Sequence, residues 1–272
     1  MDCLTTLIAI TRPRRKTESA DGPSAARRLG GKEAVNTMGL QTIDFGGTAI
    51  LLQSDRTIGI PAHSALLVAD LHLGKDATFR QAGMPVPAGA SQRTLDRLAA
   101  AIDEAEAKTC YVLGDFVHAG NSLTDELFAT VDAWLAARAT QTTFVLVRGN
   151  HDRAALKQIA ELPFAAVVGE VQIDRLRLLH HPVEPGHEVD DQWVIAGHVH
   201  PCVKLPSERG RRSGSVPCFY VQQRQITMPA FGEFTGNFAV RPRPGEAAYL
   251  ICDDELFAIH GNAATRSGTR SR

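Results

Sequence analysis

The chain has 272 residues, 44% hydrophobic and 22% charged, with a formal net charge of −1. Such a composition excludes collagen-like, fibrous and wholly disordered chains. No apolar run approaches the roughly 20 residues that cross a bilayer, so no transmembrane helix is predicted. The charge is a sum of unlike parts: residues 1–37 carry seven basic and four acidic side chains, and residues 261–272 carry three arginines and no acid. The 223 residues between them hold 19 basic and 26 acidic side chains. Five scattered cysteines, Cys3, Cys110, Cys202, Cys218 and Cys252, never adopt a C-x-x-C spacing. That pattern argues against a disulfide framework or a zinc ribbon and suits a reducing cytoplasm.

Residues 1–37 show basic clusters and small residues without a sustained period, and they read as a disordered extension. Their apolar stretch, Leu4 to Ile10, precedes the arginines, the reverse of a signal peptide. One domain is expected over 38–260, followed by a frayed tail over 261–272. Ala49–Gln53, Ala65–Ala69, Thr109–Leu113 and Thr143–Val147 are short apolar runs with the length and β-branching of buried strands. Ser91–Ala107 and Leu123–Arg138 carry apolar residues at helical spacing, including Leu95, Leu98 and Ile102, then Leu127, Val131 and Leu135. Beyond about residue 164 helices vanish and strands crowd: Val171–Ile173, Leu176–Leu179, Trp193–Ala196, Cys218–Val221, Ala248–Cys252 and Leu256–Ile259. Alternation followed by a meander predicts two sheets packed face to face with helices outside.

Five of these runs end on residues of metal-ligand type. Asp70-x-His72 follows the first, Gly114-Asp115 the second and Gly149-Asn150-His151-Asp152 the third. His180-His181 and Gly197-His198-x-His200 follow later strands. Strands of a sheet end side by side, so side chains placed there converge on one polar cluster over a rigid apolar scaffold. In Asp-x-His and His-x-His the two side chains leave an extended backbone on the same side and reach one cation. Mixed oxygen and imidazole donors suit manganese, iron, zinc or nickel rather than an all-oxygen calcium site.

The series Asp70-x-His72, Gly114-Asp115, Gly149-Asn150-His151-Asp152, His180, Gly197-His198-x-His200 resembles the signature of the calcineurin-like metallophosphoesterases. That resemblance implies a four-layer α/β/β/α sandwich of two mixed sheets flanked by helices. The stretches Asp70–Lys75, Phe79-Arg80 with Gly83, Pro85 and Pro87, His181-Pro182 and Pro229–Gly236 look like the DNA-ligase-associated members of that superfamily. Their assigned role is as DNA-repair endonucleases or phosphodiesterases, carried beside an ATP-dependent ligase and a DEXH helicase.

By this resemblance Asp70, His72 and His200 hold a first divalent metal. Asn150, His180 and His198 hold a second, and Asp115 bridges. The ion expected first is Mn²⁺, with Fe, Zn or Ni also compatible. His151 is expected at the substrate as the group that protonates or stabilises the leaving oxygen, with Asp152 or a nearby group orienting its imidazole. Lys75 and Arg80, after the first motif, are expected to meet substrate phosphate, and Arg209, Arg211 and Arg212 form a basic run near the mouth of the site. Many relatives show G-D-x-x-D at the second motif, where this chain has Gly114-Asp115-Phe116-Val117-His118.

The implied reaction is metal-dependent hydrolysis of a phosphodiester, with two cations about 3.5–4 Å apart activating water and gripping phosphoryl oxygens. DNA is the first expectation for substrate. A small-molecule phosphodiesterase or pyrophosphatase acting on nucleotides or nucleotide-sugar lipids is the alternative, and a non-catalytic repair scaffold the third reading. The acidic body offers no general basic face for gripping DNA.

Overall fold

A computed structural model describes residues 39–120, 122–184, 186–187, 191–205 and 214–262. The N-terminal extension, most of the expected tail, and Arg209, Arg211 and Arg212 lie outside the described residues.

Seven strands form a first sheet in chain order: β1 (Leu40–Phe45), β2 (Thr48–Gln53), β3 (Ile58–Ile60), β4 (Ala65–Val68), β5 (Thr109–Leu113), β6 (Thr143–Val147) and β7 (Ala166–Val168). The first three connections are tight, so β1 to β4 pair antiparallel. From β4 onward the strands are parallel, because each return runs through helix on one face of the sheet. These crossovers carry α1 (Lys75–Gln81), α2 (Ala90–Glu104), α3 (Asp125–Arg138) and α4 (Leu156–Ile159). In α2 the buried residues Thr94, Leu95, Leu98, Ala101 and Ile102 form one stripe. The Thr124 hydroxyl caps α3 by accepting from the Leu127 N–H, with Asp125 and Glu126 in its first turn.

The second sheet follows in the order β14–β11–β12–β13–β10–β9–β8. Its strands are β8 (Val171–Ile173), β9 (Leu176–Leu179), β10 (Trp193–Ala196), β11 (Pro201–Lys204), β12 (Ser215–Val221), β13 (Gln225–Thr227) and β14 (Phe238–Ala239). A further hairpin of β15 (Ala247–Cys252) and β16 (Glu255–His260) joins it through β12. The two mixed sheets pack face to face as expected. All described helices precede residue 160, so among the described residues helix covers the first sheet and not the outer face of the second. No described helix is long and apolar enough to cross a membrane.

Alternation along the central strands explains the layering. Leu66 and Val68 of β4 face the helices with Phe144 and Leu146 of β6. Ala65, Leu67 and Ala69 face the second sheet, where Leu178, Ile195, Phe219 and Ile226 meet them. Phe144 is buried and packs against Trp134 of α3 with ring centroids 5.4 Å apart. Phe144→Ala is expected to cost about 3–5 kcal/mol of stability, read as a lowered midpoint in urea unfolding at unchanged slope.

Candidate metal centre

The C-terminal ends of β4, β5 and β6 in one sheet, and of β9 and β10 in the other, meet at one edge of the sandwich. Beyond β4 and β5 the chain stays registered: the Asp70 N–H donates to the Gly114 carbonyl (3.1 Å), that of His72 to Asp115 (2.8 Å) and that of Leu73 to Phe116 (2.9 Å). Asp70, His72, Asp115, His198 and His200 all have left-handed backbone, with φ between 48° and 70°. A non-glycine residue pays about 1–3 kcal/mol there, and the surrounding hydrogen bonds hold each one in place. Gly149 is required for another reason. A Cβ on it would lie 2.1 Å from the Asp115 amide nitrogen and 2.2 Å from the Asp115 carboxylate.

Asp70 is fully buried and both its oxygens accept the His198 N–H, at 3.1 and 2.9 Å. The Asp115 carboxylate, also buried, accepts the His151 N–H at 2.8 Å. Potential ligand atoms of Asp70, His72 and His200 lie within 4.8 Å of one another, as do those of Asp70, Asp115 and His180. His180 Nε2 is 2.9 Å from Asn150 Oδ1, 3.4 Å from Asp115 Oδ1 and 3.2 Å from His198 Nδ1. All seven residues singled out as metal ligands therefore come together.

Hydrogen bonding shows whether they suit cations. His180 donates its Nδ1 proton to the Leu113 carbonyl (2.9 Å), which leaves Nε2 a bare lone pair facing Asn150, Asp115 and His198. His200 donates its Nδ1 proton to the Gly236 carbonyl (2.9 Å), so its Nε2 faces His72 Nε2 at 3.4 Å and Asp70 Oδ1 at 3.5 Å. Burial, with Lys75 and His200 alongside, pushes the His72 imidazole down to about 2 and keeps it neutral. Its Nδ1 is buried without a partner. Imidazole nitrogens whose far ring atoms are held by backbone carbonyls, as in His180 and His200, and which face carboxylates are arranged as metal ligands are. The donor set fits two divalent ions.

Of the adjacent histidines, His180 is buried inside the cluster and His181 is exposed against it at 4.6 Å between ring centroids, with its ligand atom also within 4.8 Å of those of His180 and His198. His151 stands at the solvent edge, its Nε2 4.0 Å from Asp115 Oδ2. The expected orienting role of Asp152 is not what the geometry shows. Asp152 accepts the backbone N–H of Gly149 (2.8 Å) and of Val117 (3.1 Å), tying two ligand-bearing loops together. Its burial pushes that carboxyl up to about 6. The group that holds the His151 ring is the His118 carbonyl, which accepts the Nδ1 proton, while the His118 ring stacks on it at 5.4 Å. Burial and the nearby Lys75 lower His118 to about 4.

Lys75, at the start of α1, lies over the Phe79 ring at 5.7 Å. It lines a recess with His72 and Asp76, where burial pulls its ammonium down while Asp115 and Asp70 hold it up. Arg80 instead turns to Asp76 at 3.6 Å. The stretch 229–236 walls the centre, a role that local pattern did not show. Phe231 and Gly232 donate to the carbonyls of Ala69 and Asp70 at 2.8 and 3.1 Å. Arg56 and Arg97 grip the carbonyls of Ala230 and Phe231 at 3.0 and 3.2 Å, and Arg97 also lies over the Phe231 ring. A Cβ on Gly232 would sit 2.1 Å from the Leu71 carbonyl oxygen.

No curated protein sequence matches the chain. A family model for calcineurin-like phosphoesterases matches residues 63–191. The crystal structure of Pseudomonas putida nuclease MPE is similar over 81% of this chain and 100% of that one, at 34% identity and a TM-score of 0.67. The Aquifex aeolicus protein of unknown function AQ665 shares 22% identity over 54% of this chain and 81% of its own, with a TM-score of 0.33. YfcE, a phosphoesterase from E. coli, shares 14% over 73% and 99%, with a TM-score of 0.38. Gly232→Ala should push the Asp70–His72 loop outward and lower divalent-cation affinity roughly 10–100-fold, measured by titration calorimetry, with the far-ultraviolet circular dichroism unchanged.

Proposed function

Because the chain belongs to the calcineurin-like phosphoesterase family, we propose that it hydrolyses phosphodiesters with two divalent metals, and that its substrate is DNA. The observation that carries the chemistry is the convergence of bare imidazole nitrogens on two buried carboxylates at the shared edge of both sheets. Asp70, His72 and His200 would hold one ion, Asn150, His180 and His198 the other, with Asp115 between them. Ions bound there would supply Lewis acidity, making water a nucleophile at neutral pH and neutralising charge on phosphoryl oxygens. Manganese is the ion we propose, and metal analysis of the purified protein tests it.

The protein's own groups do the rest. His151, with Nδ1 tied to the His118 carbonyl, hands a proton from Nε2 to the leaving oxygen. Lys75 supplies a positive charge for a phosphate oxygen at the rim, whereas Arg80 reaches phosphate only by leaving Asp76. Asp152 acts by fixing the loops of Asp115 and Asn150 relative to each other.

The DNA reading is supported by similarity to a nuclease over the whole of that protein's chain. One observation favours a small nucleotide diester instead: residues 38–260 hold 26 acidic against 19 basic side chains. A repair role beside an ATP-dependent ligase and a DEXH helicase in the cytoplasm is part of the proposal, tested by co-purification of those enzymes with the tagged protein. With Mn²⁺ present, cleavage of single-stranded or supercoiled DNA supports the first reading. Hydrolysis of bis-p-nitrophenyl phosphate without DNA cleavage supports the second, and no hydrolysis of either sinks both.

Asp115→Asn should reduce hydrolysis by more than about a hundredfold, beyond the loss expected from an outer hydrogen-bond partner, and it controls for contaminating nuclease. His151→Ala should keep its bound metal while kcat falls roughly a hundred- to ten-thousandfold. Full turnover in that variant would remove His151 from the mechanism.

A further inference from the structure

Among the described residues three large apolar side chains are exposed: Met84, Phe234 and Phe238, at 44%, 38% and 63%. Two of the three flank Gly236, whose carbonyl fixes the His200 ring. Phe238 donates its own N–H to the His200 carbonyl at 3.0 Å. Phe234 lines a small recess together with His72, Lys75, Asp76 and Glu233. Both phenylalanines are therefore anchored on the residues that form the candidate metal centre.

Neither position calls for phenylalanine on structural grounds. Phe234 has left-handed backbone at φ 58°, where a bulky residue is an outlier and glycine or asparagine sits with less strain. Phe238 lies on the two-residue edge strand β14 and is the more exposed of the two. An aromatic ring that contributes little to the core and opposes its own backbone preference points to a ligand.

Charge narrows the kind of ligand. Two cations are held by acids of this recess: Arg93 bonds Glu233 at 2.7 Å and Arg80 faces Asp76 at 3.6 Å. Among the described residues Lys75, which lines the same recess as Phe234, offers positive charge to a phosphate, and further grip on a strand falls to uncharged surface. Flat aromatic bases stack on exposed phenylalanine whatever their sequence. Bases inside a duplex have both faces covered by their neighbours, which leaves unpaired bases to take the site.

We propose that Phe234 and Phe238 form a base-stacking subsite that holds unpaired nucleobases next to the phosphate at the metal centre. The proposal rests on the DNA reading above. The test compares kcat/KM of the Mn²⁺-loaded protein on a single-stranded oligonucleotide and on one of the same length carrying abasic tetrahydrofuran sites. The wild type should favour the base-bearing strand by about fivefold or more, the lower range for one stacked base. Phe238→Ala and Phe234→Ala should erase that preference, mainly through KM, and Phe238→Trp should restore it. A wild type without preference, or variants that keep it, overturns the subsite while leaving DNA cleavage standing. Hydrolysis of bis-p-nitrophenyl phosphate with neither oligonucleotide cut overturns the DNA reading and the subsite together. Self-association lost in Phe238→Ala, with base preference intact, makes the rings a contact between copies and also overturns the proposal.

Discussion

Two carboxylates, Asp70 and Asp115, are buried at the edge where both sheets end. A buried carboxylate is costly unless donors meet it, and here the donors are backbone amides from distant parts of the chain. Asp70 draws the His198 N–H from the second sheet, and Asp115 draws that of His151 from the next loop of the first. Satisfying these two groups aligns the loops after β4, β5, β6 and β10. The positions of the imidazoles follow from that alignment, as does the need for glycine at 149.

The same arrangement concentrates strain. Five of the seven candidate ligand residues have left-handed backbone, and none is a glycine, although Asp and His enter that region more readily than bulkier residues. Parallel strands packed on both faces, with β4 buried at every residue, provide the stiffness to hold such turns. The wall formed by residues 229–236 adds to it, because Arg56 and Arg97 hold its carbonyls while Phe231 and Gly232 hold those of Ala69 and Asp70.

Much of this was legible in local pattern. The apolar runs ending at Leu113 and Val147 are strands with those limits, and the Asp, Asn and His residues after them converge as strand ends must. Several short elements were not legible: β3, β7 and β14 have three residues or fewer. Helix α1 has one large apolar residue, Phe79, and so no period to read. Roles set by long-range backbone contacts were equally hidden. Nothing near Gly236 announces that its carbonyl orients a ring 36 residues away, nor does Ala230 announce its clasp by Arg56, 174 residues distant. The tie that Asp152 makes between loops was hidden for the same reason, since its partners are amides rather than the neighbouring imidazole.

The candidate ligands are divided between the two layers. Asp70, Asp115 and Asn150 follow strands of the first sheet, while His180, His198 and His200 follow strands of the second. An ion that engages both groups is a cross-link between sheets otherwise joined by apolar contact and a few hydrogen bonds. Its affinity then becomes part of the free energy that keeps the layers together, about 2.7 kcal/mol at a hundredfold excess over the dissociation constant. Melting temperature thus becomes a titration curve for the metal, so a chelator loosens the whole sandwich as well as emptying its edge.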